Sequence, residues 1–331
     1  MKIALLLVLV FCLLITVNAQ IEGAADSIDT LIRNGDINTA RQILKSRYSE
    51  NDDDPLTNYW LGVLALRDTL YDEAIDYFDV AIDGDEKNAE YYFWLGRAYA
   101  MKAQNSGAIT AAFAAPKIKS NWLKTLELDP EHVPAKWGLF QYYINAPGVM
   151  GGDDEEAKKL AEDLSTNDPP RGYNMLAYYY AFVEEDFLKA DSALIKSMEF
   201  NTDEETARIV LNSNTNLLNQ LGYRFLNQED LNNSYKYFKW AIRIRPDYEN
   251  PYDSMGDYFA AIAQFDSALI YYEKALTIRP DFTVSIFNKA LMLEKLGKKD
   301  QAKALYKVLI EKYPDSSYAD RAADRLKDLP D

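Results

Sequence analysis

The pair Leu61-Gly62 returns as Leu95-Gly96 after 34 residues, and the same interval separates Leu221-Gly222, Met255-Gly256 and Lys289-Ala290. Sixteen residues beyond Gly62, Gly222 and Gly256 stands an aromatic residue: Phe78, Phe238 and Tyr272. Small residues bracket those rings, with Ala74 and Ala81 in one unit, Ser234 and Ala241 in another, and Ala268 and Ala275 in a third. A last version reads Ala302, Tyr306, Leu309. A fixed interval of this length makes each repeat one supersecondary unit that cannot bury its apolar face alone and must stack on its neighbours. The spacing predicts two antiparallel helices per unit. The glycine lets the first helix approach the second, and the aromatic ring fills the space toward the next unit. Pro130, Pro169, Pro246, Pro280 and Pro314 are expected to end second helices, because proline cannot continue one. Asp129, Asp168 and Asp315 beside three of them are turn formers.

The order of an aromatic, Leu-Gly and Tyr, then Ala, Phe, Ala and Pro within 34 residues, resembles the tetratricopeptide repeat. That resemblance implies an all-α fold, a right-handed superhelical solenoid of antiparallel helix pairs. The units read as 21–54, 55–88, 89–132, 133–170, 171–204, 215–248, 249–282 and 283–316, with 317–331 as a polar capping helix. We therefore divide the chain into a leader over 1–19, repeat-like units over 20–204, and further repeats over 205–316. Units one, four and five fit less well. Ile28 and Tyr178 occupy slots where glycine is usual, while Ala40, Leu44, Ala190 and Leu194 hold theirs. Residues 205–214 fall outside the register, as a helix extension and the best candidate for a hinge.

The leader carries one lysine, Lys2, an apolar run from Ile3 to Val17, and small residues at Val17 and Ala19. This is the pattern of a secretory signal peptide cut before Gln20. A membrane anchor is the competing reading, and polar Gln20, Glu22 and Asp26 favour cleavage. Cys12 lies behind Phe11 inside the apolar run, where a lipoprotein signal wants a small residue. Cleavage removes the only cysteine, leaving no disulfide, thiol nucleophile or thiolate site. The protein is expected to be exported, periplasmic or secreted, with no membrane insertion after cleavage. Its net charge of −16 opposes binding to phosphate backbones and to anionic lipid surfaces, so nucleic acid is not an expected partner.

Two units are longer than the repeat requires. Gly96 to Trp122 spans 26 residues instead of 16, which places ten extra residues in 103–116. Phe140 to Ala157 spans 17 against 12 from Gly62 to Ala74, which places five more in 145–153. Both are read as loops between first and second helices of adjacent units, and so as neighbours. Pro147, Gly148, Gly151 and Gly152 form the candidate lip of a binding edge. These glycines do not read as a phosphate cradle, because Asp153-Asp154-Glu155-Glu156 follows where such a loop needs Gly-Lys-Ser/Thr. They fit a tight turn with acids at a helix N-terminus.

Catalytic and metal chemistry finds little footing. His132 is the only imidazole and is expected in a solvent-exposed turn. Asp83, Asp85 and Glu86, and likewise 51–54, lack the spacing of a calcium loop. No enzyme activity and no cofactor are expected. By resemblance, the concave face comes from first helices. Their fifth and ninth positions are Tyr59 and Val63, Phe93 and Arg97, Trp137 and Gln141, Asn219 and Tyr223, Asp253 and Asp257. Family members that grip a terminal carboxylate use Lys and Asn there, and this chain lacks that Lys. The expected function is a non-catalytic scaffold that binds a protein or peptide in the cell envelope through Tyr59, Phe93, Arg97, Trp137, Gln141, Asn219 and Tyr223. Aromatic groups with amides also suit sugar rings, so a glycan-binding or cell-wall accessory protein is the alternative, followed by a structural subunit of an envelope assembly.

Overall fold

A computed structural model describes residues 27–200 and 202–329. The leader and its cleavage site lie outside the described residues. Among the described residues the chain is helical with no strand, and it forms two compact units that meet in sequence at Leu160 and Ala161.

The N-terminal unit contains α1 (27–33), α2 (Ile37–Glu50), α3 (Pro55–Arg67), α4 (Tyr71–Gly84), α5 (Ala89–Gln104), α6 (Ala108–Leu128) and α7 (Val133–Asn145). A single 3-10 turn at Gly148–Met150 leads to α8 (Asp154–Asn167), which crosses the unit boundary. The C-terminal unit continues with α9 (Pro169–Phe182), α10 (Phe187–Ser197), α11 (Glu204–Asn227), α12 (Leu231–Ile244), α13 (Glu249–Ala261), α14 (Phe265–Ile278), α15 (Thr283–Lys295), α16 (Lys299–Lys312) and α17 (Ser317–Asp328). Within each unit a first helix packs on its second helix, and first helices also touch the first helices of neighbouring pairs, as α3 does α5 and α11 does α13.

The glycine–aromatic spacing has a direct physical cause. A methyl group added at Gly62 would lie 2.7 Å from the Phe78 ring, at Gly222 2.4 Å from Phe238, and at Gly256 2.5 Å from Tyr272. Gly96 stands in the same relation to Trp122, at 2.7 Å. Those rings, with Ala74, Ala81, Ala241, Ala268 and Ala275, are fully or almost fully buried. Ile28, in the glycine slot of the first unit, is buried against Leu44, Trp60 and Leu64. Helix starts follow the turn chemistry. Asp54 accepts from the Thr57 N–H at 2.9 Å ahead of Pro55, and Asp203 and Asp230 cap α11 and α12 likewise.

Several expectations change. Residues 103–116 are not a loop. From Ala108 onward they extend α6 to 21 residues with Pro116 inside it, leaving only Asn105–Gly107 as the turn. Ala108, Ala111, Ala112, Ala114 and Ala115 supply the strongest helix propensity available, enough to carry the helix through a proline. Pro169 does not merely end α8 but opens α9, with Asp168 as its N-cap. Residues 205–214 extend α11, which runs unbroken to Asn227. His132 is buried, with 7 % exposure, and caps α7. Its Nδ1 accepts from the Ala135 N–H at 3.1 Å, so Nε2 carries the proton and faces Glu90 Oε1 at 3.0 Å. Its ring lies 4.8 Å from that of Phe93.

In the C-terminal unit a polar cluster sits in the core. Asn174 donates to Asn214 at 2.7 Å and accepts from Ser213 at 2.7 Å, and Asn214 donates to Ser197 at 2.8 Å. The Ser197 hydroxyl in turn donates to the Leu194 carbonyl at 2.8 Å. Asn174, Asn214 and Ser197 are buried, and the chain of bonds satisfies them.

Candidate functional site

First helices α1, α3 and α5 present side chains along one face, and a cleft of about 190 Å³ opens between them. It is lined by Ile32, Val63, Leu66, Trp94 and Met101, with Arg67 and Arg97 among them. The Arg97 guanidinium lies over the Trp94 ring at 4.7 Å, a cation–π contact that fixes it without neutralising it. Among the described residues neither Arg67 nor Arg97 has a carboxylate partner, although the protein carries 52 acidic residues. The Trp94 indole N–H donates to Glu90 at 3.1 Å. The cleft is therefore an apolar depression with two uncommitted positive charges.

Of the residues named from sequence, Arg97 and Val63 line this cleft. Tyr59 stands behind it, edge-on to Trp94 at 6.4 Å and close to Tyr91 at 5.3 Å. Burial drives the Tyr59 hydroxyl far above its ordinary pKa, helped by the negative charge of Glu90. Phe93 turns toward His132 instead. Trp137 and Gln141 lie on α7, half-buried, and do not line the cleft. The Trp137 ring leans on Phe140 at 5.7 Å.

The equivalent face of the C-terminal unit is different in kind. Tyr223 and Tyr272 donate to the two oxygens of Asp257 at 2.8 and 2.7 Å, and Asn288 adds a third bond at 3.2 Å. Ser285 donates to Asp253 at 2.5 Å. Asp253 is 5 % exposed. Burial first, and then the charge of Asp257 one turn away, push its carboxyl up to about 7, against the opposing bonds from Ser285 and Asn288. Asp257 is also raised by burial, with the two tyrosine hydroxyls holding it back. Asn219, 8 % exposed, keeps a buried carbonyl oxygen without a partner. These positions form an interior polar seam joining α11, α13 and α15. Sequence register placed them on one face, but neighbouring helices bury them.

The glycines of 145–153 serve the backbone. Gly151 has φ +93°, and a methyl at Gly152 would fall 1.8 Å from the Ala146 carbonyl oxygen. The turn is tied to the lengthened α6: Lys119 donates to the Gly151 carbonyl at 3.2 Å, and Tyr142 donates to that of Met150. Gly148 and Pro147 are exposed at its apex. Among the described residues there is no cluster of metal-binding side chains, and no helix is long and apolar enough to cross a membrane.

Comparison with known proteins bears on these features. Tetratricopeptide-repeat profiles match residues 26–89, 251–282 and 285–316. The Guillardia theta protein ycf37 is 30% identical over 99 residues, which is 30% of this chain and 56% of that protein. A peroxisomal targeting signal receptor of Candida albicans is 24% identical over 257 residues, or 74% of this chain and 38% of the receptor. The chain thus spans well under two thirds of the length of either relative. The solved structure of Pseudomonas aeruginosa pilF is 17% identical, covers 72% of this chain and 98% of its own, and has a TM-score of 0.42. The matched segments take in α1 to α4 of the N-terminal unit and α13 to α16 of the C-terminal unit, so each unit contains a stretch that matches the tetratricopeptide repeat.

Proposed function

We propose that this protein is a non-catalytic scaffold that holds an extended segment of another protein across the first-helix face of its N-terminal unit. The cleft between α1, α3 and α5 carries this reading. Its apolar lining suits an aliphatic or aromatic side chain, and Arg67 and Arg97 suit an acidic group beside it. The glycan reading is the weaker one, because the Trp94 face that a sugar ring would stack on is covered by Arg97. The relative named as a receptor for a targeting signal supports a peptide-holding role. Export through the N-terminal leader completes the proposal and places the partner in the envelope or outside the cell.

Two measurements test it. A photo-crosslinking phenylalanine analogue at Val63 should capture a protein in the native cell. The double variant Arg67→Glu/Arg97→Glu should lower that capture about tenfold or more, since it turns attraction into repulsion at exposed positions that the fold does not need. A capture yield that is unchanged, or a glycan in place of a protein, would overturn the reading. For export, the protein isolated from cells should begin at Gln20. An intact mass that retains residues 1–19 would refute cleavage.

A further inference from the structure

Charge is distributed unevenly in this acidic protein. Residues 91–126 contain no Asp or Glu and five basic residues, Arg97, Lys102, Lys117, Lys119 and Lys124, while 103–116 contains no charge at all. In the fold this stretch is most of the α5–α6 hairpin, and the charge-free part is its tip. Ile109 and Phe113, one helical turn apart on the same side of α6, are 76 % and 75 % exposed. The opposite side of α6 makes the contacts that hold the hairpin together, through Ala114, Ala115, Ile118 and Trp122. The two exposed apolar residues are therefore not part of the core. We propose that this tip docks onto an anionic lipid surface, with Ile109 and Phe113 entering the bilayer interface and the lysines above them meeting the headgroups.

The dimensions fit that task. Lys117 follows Phe113 by one turn, about 6 Å along the helix, and apolar faces of interfacial helices lie about 5–10 Å deep. Lys117 rests over the Tyr99 ring at 4.8 Å and bonds its hydroxyl at 3.1 Å, which holds its charge beside the hairpin. Lys119 touches the 145–153 turn, so the acids of 153–156 begin near its level. Ile109 lies ten residues nearer the tip, about 15 Å beyond that level, and the Debye length at physiological salt is about 8 Å. Lys102 and Lys124 are paired with Asp72 and Glu127, and Asp79 feels the charge of Lys117, so Lys117 and Lys119 are the lysines left to face a headgroup layer. The acids of 153–156 are thus screened from the tip. A lipid surface is favoured over a protein partner because the apolar side chains project from a helix end rather than line a groove. Their chemistry is layered, apolar then basic, as a bilayer interface is. These observations are separate from those of the cleft.

The test places an environment-sensitive nitrobenzoxadiazole label on the full chain with Cys12→Ser, at Thr110→Cys between the two apolar residues. A control label goes at Lys87→Cys, in the turn before α5 at the opposite end of that helix. Vesicles of phosphatidylglycerol with phosphatidylcholine should raise the emission at position 110 about threefold or more, with a shift to the blue. Position 87 should not respond, even when the N-terminal apolar run tethers the chain. Ile109→Asp/Phe113→Asp should abolish the response with the circular-dichroism spectrum unchanged, the milder Ile109→Ser/Phe113→Ser should reduce it, and added salt should weaken it. The proposal is overturned by no response on anionic vesicles, by an equal response on phosphatidylcholine alone, or by a response that survives both substitution pairs. A change at position 110 that requires an added protein would overturn it in favour of a protein partner.

Discussion

Gly256→Leu is expected to destabilise the C-terminal unit by about 3–4 kcal/mol, because no atom near it can yield cheaply. A methyl alone would stand 2.5 Å from the Tyr272 ring, and that ring is fully enclosed. Swinging the ring aside would also break its 2.7 Å bond to Asp257, leaving a buried acceptor short of a donor at a further cost of about 1–3 kcal/mol. Leucine's better helix propensity returns less than about 1 kcal/mol, so the clash decides the sign. Gly107→Leu, at the start of α6, is the control for added bulk, since nothing lies within 4 Å of a Cβ there. Denaturant melts of the two variants should differ clearly. Equal midpoints would show that the helix crossing is looser than the structure describes.

A second large effect should depend on pH. Burial, and then the charge of Asp257, push the Asp253 carboxyl up to about 7 in the fold, well above the ordinary carboxylate range. The folded state therefore holds the proton more tightly than the unfolded chain. Stability from that proton is present in full below about pH 4 and is lost as pH rises through about 7. Asp253→Asn removes the titration yet keeps an oxygen to accept from Ser285. The variant should be more stable than the parent by about 1–3 kcal/mol at pH 8, and the gap should close toward pH 4. Hydrogen exchange in α13 and α15 would report this locally, which matters where a chain has two compact units and one global transition is not assured. A gap that widens on acidification would mean that the carboxylate, and not the acid, is the form the fold prefers.

The parts legible from sequence were those governed by short, repeated distances. Gly222 and Phe238 identify a helix crossing because the interval between them is set within one helical hairpin, and the same arithmetic locates Gly62 with Phe78. The cleft was only half legible. Register pointed to Val63 and Arg97, but Ile32 and Met101 join them through the stacking of three separate pairs, which no interval encodes. Asp253 and Asp257 had the right register for an open face and were enclosed by Ser285 and Asn288 of the following pair. His132 misled because a turn residue is usually solvated, whereas Glu90 and Phe93 of the preceding pair close over this one. The alanine-rich 108–115 segment carried a helix signal that its glycine and proline neighbours outweighed.

The amide and hydroxyl cluster around Asn174 has a consequence for assembly. In an array of repeats, neighbouring pairs display nearly the same key of small residues and rings, so hydrophobic contact alone hardly distinguishes the correct neighbour from the next one along. Asn174, Ser197, Ser213 and Asn214 come from three different helices, α9, α10 and α11, and each completes its bonding only when those three meet in one alignment. Any shifted pairing strands several of them in an apolar setting at about 1–3 kcal/mol apiece. The cluster thus works as an address label, giving α11 one destination among otherwise interchangeable surfaces.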